Sequence, residues 1–252
     1  YENFPKNCNP DSLFFPNIDM TIFSDLKKVN SPKTLLCKTK QIYSTLKNFF
    51  PDKTIIFTGF TSFDKYDPKI PKDYRKFVHI PGKSPFKGSE IILKTWINHP
   101  EWPEITIIAR DEIGKRLKFY IKKYNPQNIK LITKFLDKND LEKISNKFGI
   151  HICSSRHEGF GHYIHEARSV KAVILYTNAP SMNETFKDGV DGIGIACVYA
   201  EMENDGFCPA FDITEKGLEE AVNKVINMSE LELRNIGENS RKSYIAETNR
   251  FE

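Results

Sequence analysis

A chain of 252 residues, 39% hydrophobic, 28% charged and 12% aromatic, carries enough apolar material for one large or two modest cores, which excludes wholesale disorder. Its formal charge of +4 comes from 37 Lys and Arg against 33 Asp and Glu spread without a long basic block, so nucleic acid is not implied as a partner. Cys8, Cys37, Cys153, Cys197 and Cys208 are odd in number and include no C-x-x-C pair, which argues against a disulfide framework and a structural zinc; with no apolar run near the roughly 20 residues of a bilayer span and no leader pattern, a cytoplasmic protein is expected.

The chain opens on Tyr1 rather than Met, which is compatible with an upstream part having been removed, and its first 30 residues show no clear period. TLLCKT (34–39) and TIIFTGF (54–60) read as strands joined by a helical QIYSTLKNFF (41–50), the last unit of a parallel sheet. FDKYDPKIPKDYRK (63–76), with two prolines among charges, reads as an inter-domain linker. Six strands follow: KFVHI (76–80), EITIIA (104–109), NIKLI (128–132), IHICS (150–154), AVILYT (172–177) and IGIACV (193–198). Between them, 89–99, 113–124, 140–148, 162–170 and a short piece at 182–186 carry apolar residues at helical spacing. Strands alternating with helices imply right-handed crossovers and a doubly wound parallel α/β sheet. Helices at 217–228 and 230–247 close the chain, the second opened by Ser229 and Glu232 at capping-box spacing.

Ligands of an open parallel sheet bind beyond the carboxyl ends of its strands, where loops feed helix N-termini. Two such loops carry chemistry. In HIPGKSPFKG (79–88), Gly82 and its neighbours allow close backbone approach, and Lys83 and Lys87 supply charge beside a helix start, which suits an anion or, equally, a solvated turn. In SSRHEGFGHYIHEA (154–167), Gly159 and Gly161 permit a sharp turn with outward amides, Glu158 sits in the turn and Glu166 lies inside the following helix. Two carboxylates with no matching charge suggest recognition of a diol such as a ribose or hexose. Their plainer readings are a first-turn acid and a solvated helix residue.

His162, His165 and Glu166 fall at i, i+3 and i+4, a spacing that can hold one ion, but the order is H-x-x-H-E rather than H-E-x-x-H, which argues against a metal. Ser181 and Glu184 in APSMNE have capping-box spacing, so Glu184 reads as a helix cap. Trp96 and Trp102 read as packing residues.

Over roughly residues 76–247 these segments resemble the donor-binding half of a two-Rossmann GT-B glycosyltransferase, in the large retaining family (group 1, or family 4 type) marked by Glu, seven residues, Glu. The resemblance rests on Glu158 and Glu166 in EGFGHYIHE, the basic loop at 82–88 and the APSMNE segment. It implies a GT-B-like α/β fold with a partial N-terminal, acceptor-side lobe and linker at 1–72 and a nucleotide-sugar-binding domain at 73–252. It further implies that Lys83 and Lys87, with Gly82 and Ser84, hold the donor diphosphate. In that reading Glu158 and the turn Gly159, Phe160, Gly161 contact the transferred sugar, with His162 near the sugar or phosphate. Glu166 takes the ribose, and the base rests near Thr133, Lys134 and Phe135. The family's usual first basic residue is Arg, with four residues between it and the Lys; here it is Lys83, with three residues between it and Lys87.

The resemblance thus implies a retaining transfer from a UDP- or GDP-sugar to a glycan, lipid or protein acceptor, with no cofactor and no metal. The short N-terminal lobe leaves room for a second reading, a non-catalytic nucleotide-sugar-binding subunit, or a truncated domain, whose partner supplies the acceptor lobe.

Overall fold

The computed structural model describes residues 11–16, 32–201 and 208–252. Two parallel sheets carry the chain. The smaller has the order β1 (Leu13–Phe14), β2 (Thr34–Cys37), β3 (Thr54–Phe57), with α1 (Lys40–Phe49) between its last two strands. Thr39 opens α1 by accepting from the Ile42 amide, and Ile42 and Leu46, one turn apart, pack with Leu35, Cys37 and Ile55 into its core. The strand at Leu13–Phe14 lies in a stretch without clear sequence period; it pairs with β2 over two residues only, too few for alternation to register.

The larger sheet has six parallel strands in the order β6-β5-β4-β7-β8-β9, the doubly wound arrangement expected. In chain order its elements are β4 (Asp73–Gly82), α2 (Ser89–Asn98), β5 (Ile105–Ala109), α3 (Asp111–Tyr124), β6 (Ile129–Ile132), α4 (Lys138–Lys147), β7 (Phe148–Cys153), α5 (His162–Ser169), β8 (Val173–Thr177) and β9 (Ile193–Ile195). Strand alternation divides the core. Val173 and Leu175 face a cluster with Ile92, Trp96, Leu117 and Val222, whereas Ile174 and Tyr176 face Ile164, Ala167 and Met182. Both faces are thus covered, and VILYT is buried throughout.

Two expectations need correction, and the end of a third segment is reassigned. Residues 182–186 form turns, not a helix. IGIACV is not one strand: β9 ends at Ile195, and β10 (Cys197–Ala200) leaves the sheet to pair antiparallel with β11 (Ala210–Ile213), a hairpin missed because 202–207 carry no apolar alternation. The segment read as a linker is bound along its length: Asn146 holds the Lys65 carbonyl and the Asp67 amide, Arg241 pairs with Asp64 at 2.9 Å, and Asp73–Lys76 already belong to β4.

Two helices close the chain, α6 (Glu215–Asn227), capped by Thr214, and α7 (Glu230–Phe251), whose N-terminus has the full Ser229–Glu232 capping box. α7 runs from the large domain back to the small sheet, where Thr248 meets Thr61 at 2.8 Å and Phe251 packs edge-on against Phe60. Trp96 and Trp102 are buried, with His99 stacked on Trp102 at 4.1 Å.

Candidate functional site

β4 and β7 are neighbours, and the chain winds outward from them in opposite directions, so their carboxyl ends form the sheet's switch point. The loops leaving these strands are the two singled out in the sequence, and they are tied together: Ser154 Oγ donates to the Lys87 carbonyl at 2.8 Å, and the Arg156 amide to the Phe86 carbonyl at 2.9 Å. Gly88 makes this approach possible. It has φ 65° and opens α2, and a Cβ there would stand 2.9 Å from the Ser154 carbonyl oxygen.

At the meeting point the Lys87 ammonium contacts the Glu158 carboxylate, lies 3.1 Å from Ser155 Oγ and sits 4.1 Å above the Tyr163 ring. Ser155 Oγ donates to Glu158 at 2.6 Å and meets the Tyr163 hydroxyl at 2.5 Å, while Ser181 Oγ donates to the Glu158 carbonyl at 2.5 Å. Glu158 therefore does have a matching charge, contrary to the sequence expectation, because Lys87 reaches it from another loop. Glu158, Gly159, Phe160 and Gly161 are all buried.

Gly161, at φ 85°, opens α5. Neither it nor Gly88 offers a side chain to the first-turn amides of its helix, whereas Thr39, Asp137, Thr214 and Ser229 cap α1, α4, α6 and α7. At the switch point, amide donors at two helix starts, and the positive ends of two helix dipoles, are left for another acceptor.

Glu166, one turn into α5, lines a cavity of about 90 Å³ with Tyr163, Lys65, Glu142, Ile80 and Cys153. Burial raises its carboxyl pKa, opposed by Lys65 and reinforced by Glu142. Tyr163 joins the two acids: its hydroxyl bonds Ser155 beside Glu158, and its side chain lines the cavity of Glu166. Burial also holds the Tyr163 hydroxyl well above its usual pKa, so it stays a neutral donor.

The other candidates are less closely gathered. Gly82, at φ 61°, ends β4; Lys83 is exposed and Ser84 accepts from the Phe86 amide at 3.3 Å. Thr133, Lys134 and Phe135 follow β6, two strands from the switch point, and are exposed; the Arg110 guanidinium sits 5.2 Å over the Phe135 ring. His162 turns toward the small sheet, with Nδ1 2.8 Å from Ser62 Oγ and its ring against Phe60.

The three residues with metal-like spacing diverge. His165 is stacked on Phe160 at 4.0 Å and accepts from Arg168 at 3.1 Å, while His162 and Glu166 face elsewhere. Burial, then Arg168, push His165 well below the usual histidine pKa. Among the described residues no group of three or more His, Cys, Asp and Glu is arranged to hold a metal. Cys37, Cys153 and Cys197 are free thiols; Cys8 lies outside the described residues. No helix among the described residues is long and apolar enough to cross a membrane.

Glu184 is a cap, but of a different helix than its spacing suggests. Its two carboxylate oxygens accept from the Lys40 and Gln41 amides, each at 2.7 Å, so a large-domain loop caps α1 of the small sheet. Sequence reading also missed Ser155, Tyr163 and Ser181. Ser155 and Tyr163 stood inside the quoted motif, and only the folded arrangement of that turn brings their hydroxyls to Glu158.

A doubly wound sheet with an anion-ready switch point, joined to a second parallel sheet by a returning C-terminal helix, defines a GT-B-type α/β protein. The chain belongs to the glycosyl transferases group 1 family, whose model matches residues 62–243. Among solved structures it is similar to the pneumococcal O-GlcNAc transferase GtfA in complex with UDP and GlcNAc (TM-score 0.70, 16% identity, 91% of this chain and 45% of that one). It is also similar to Anabaena HepE in complex with UDP and glucose (0.68, 14%, 95% and 67%) and to a chain of the GtfA/B complex (0.66, 18%, 90% and 44%). The chain thus spans about half the length of the first structures it matches. No curated protein matches it in sequence.

Proposed function

We propose that this chain binds a nucleotide-diphosphate sugar, UDP- or GDP-linked, at the β4–β7 switch point and transfers the sugar with retention, without a metal, to a glycan, lipid or protein acceptor. The observation that carries the reading is the convergence there of Lys87 with two helix starts that lack side-chain caps. Glycosyl transfer is limited by charge growing on the departing diphosphate, which preorganised amides and a largely buried ammonium stabilise. Lys87 and the α5 amides supply those donors, and Lys83, in the same loop, adds an exposed positive charge.

Glu158, held by Lys87 and Ser155, is placed to meet the transferred sugar once the diphosphate draws the Lys87 ammonium away. Glu166, in its own cavity on the same α5 start, is suited to accept paired hydroxyls of the ribose. The same reading assigns Gly82 and Ser84 to the diphosphate, Gly159, Phe160, Gly161 and His162 to the sugar end of the donor, and Thr133, Lys134 and Phe135 to the base. Calorimetric titration with UDP and GDP tests the reading directly: at least one should bind, and absence of heat for both, with the protein folded, removes the donor site.

A second reading is a binding subunit that relies on a partner for its acceptor lobe. It is favoured by the similarity to a chain of a GtfA/B complex. Hydrolysis or transfer with a panel of nucleotide sugars separates the two: binding without turnover favours the subunit.

A further inference from the structure

Between Glu158 and α5 the chain runs Gly159, Phe160, Gly161, so Phe160 is the one side chain by which this turn can be held from outside. Glycine adopts most backbone conformations freely, and Gly161 uses that freedom with φ 85°. The carbonyls on either side are fixed, that of Glu158 by Ser181 Oγ and that of Gly161 by the Ile164 and His165 amides. Phe160 itself is fixed by rings. The His165 imidazole lies flat on it, 4.0 Å away and 2° from parallel, while the Phe60 and His162 rings stand at steep angles to it at 5.1 and 5.2 Å.

The His165 ring is in turn held by a charge. Arg168, whose side chain is fully buried, donates from Nη1 to His165 Nδ1 at 3.1 Å, and its two terminal nitrogens pair with the two oxygens of Glu247 on α7 at 2.6 and 3.0 Å. A guanidinium has donors only, so Nδ1 is the unprotonated nitrogen and the ring's proton sits on Nε2. The Phe160 backbone carbonyl is the ring's other polar neighbour. A buried ion pair often adds no net stability over apolar packing of the same volume, because the cost of desolvating the charges offsets their attraction. What this pair supplies is direction: two-point pairing fixes the guanidinium plane, and a fixed N–H fixes the ring.

We infer that His165 and Arg168 are positioning residues for the donor turn: Glu247 on α7 sets the Arg168 guanidinium, Arg168 sets the His165 ring, and the ring seats Phe160 so that the amides opening α5 face the diphosphate. The donor half of this statement rests on the function proposed above; the link from α7 to the turn stands on the contacts alone. Glu247 precedes Thr248, which meets Thr61 of the segment joining the two sheets at 2.8 Å, so the seating of this helix end is transmitted to the donor turn.

NMR of the full chain tests the link. Labelling with carbonyl-13C phenylalanine and 15N glycine selects the two Phe–Gly amides, Gly149 in β7 and Gly161 in the turn. Glu247→Gln, a change at a partly exposed residue, is expected to displace the Gly161 amide resonance with no nucleotide present and to leave Gly149 in place. An unmoved Gly161, or both amides displaced together, overturns the inference. Long-range 1H–15N spectra of the unsubstituted protein should show His165 Nδ1 without a proton at neutral pH, and a proton there overturns it as well. Calorimetry reads the donor half: Glu247→Gln and His165→Leu should each weaken UDP at least fivefold and UMP less than twofold, since UMP lacks the second phosphate that the turn faces. Equal losses for the two nucleotides mark a purely structural contact and overturn the positioning role. A chain that shows the Gly161 displacement but binds no UDP loses the donor reading and keeps the link.

Discussion

Glu158 and Lys87 stand in a mutual contact that a donor must rearrange, so substitutions on either side should separate sugar from nucleotide. Glu158→Ala is expected to lower transfer by at least a hundredfold while UDP affinity falls by less than threefold, because the role proposed for the carboxylate is contact with the sugar; equal loss of UDP binding would count against that role. Lys87→Ala should weaken UDP itself, since a charge-assisted hydrogen bond to phosphate contributes roughly 1.5–3 kcal/mol. Glu166→Ala should weaken UDP binding, and an unchanged dissociation constant would remove the ribose role. Because burial raises the Glu166 pKa, its anion is lost at a higher pH than that of an ordinary glutamate, and UDP affinity should fall on acidification earlier than it would for a solvent-exposed carboxylate.

His79 beneath the site adds a stability signature. It is fully buried, with Nδ1 donating to the Ile152 carbonyl and Nε2 accepting from Ser89, and burial lowers its pKa to about 4. The unfolded chain binds this proton near pH 6.5 and the folded one does not. Stability is therefore lost as pH falls from about 6.5 toward 4, by on the order of 3 kcal/mol for His79 alone. Urea midpoints measured between pH 7 and 4 should drop accordingly, and His79→Gln should flatten that slope.

At the scale of elements, the helices divide by how they begin. Thr39, Asp137, Thr214 and Ser229 each cap a first-turn amide of the helix they open, whereas α2 and α5 begin on glycines at the site and α3 on Arg110 without a side-chain cap. Gly88→Ala should distort the loop junction, since both its left-handed backbone and its contact with the Ser154 carbonyl oppose a Cβ, at a cost of roughly 1–3 kcal/mol with UDP binding impaired. The α5–α7 junction depends on Arg168, whose side chain is fully buried and pairs with Glu247 at 2.6 Å. Glu247→Gln leaves that guanidinium without its counter-charge; a cost of about 3 kcal/mol, the low end for breaking a buried pair, is expected because Glu247 is partly exposed, and thermal unfolding measures it.

At the scale of the molecule, the two sheets are joined by the 61–72 segment, by α7 and by the Glu184 cap on α1. If the donor site is formed as described, UDP at a hundred times its dissociation constant should stabilise the folded chain by about 2.7 kcal/mol. For a chain of this size that is a rise of roughly 5–11 °C in Tm, readable by calorimetry, and it should vanish in any variant that no longer binds UDP.

The six strands, the helices between them and the two loops at the switch point were legible in the sequence, because apolar period and glycine placement are properties of neighbouring residues. The same locality explains the errors: β1 was too short to show a period, and APSMNE had the spacing of a cap without a helix to cap. What only the tertiary structure decided is which side chain answers which. Lys87 meets Glu158 from 71 positions away and Glu184 reaches the Gln41 amide across 143. Periodicity fixes the face on which a residue lies but not the partner across the gap. Electrostatic pairing depends on distances that exist only after the sheets have formed.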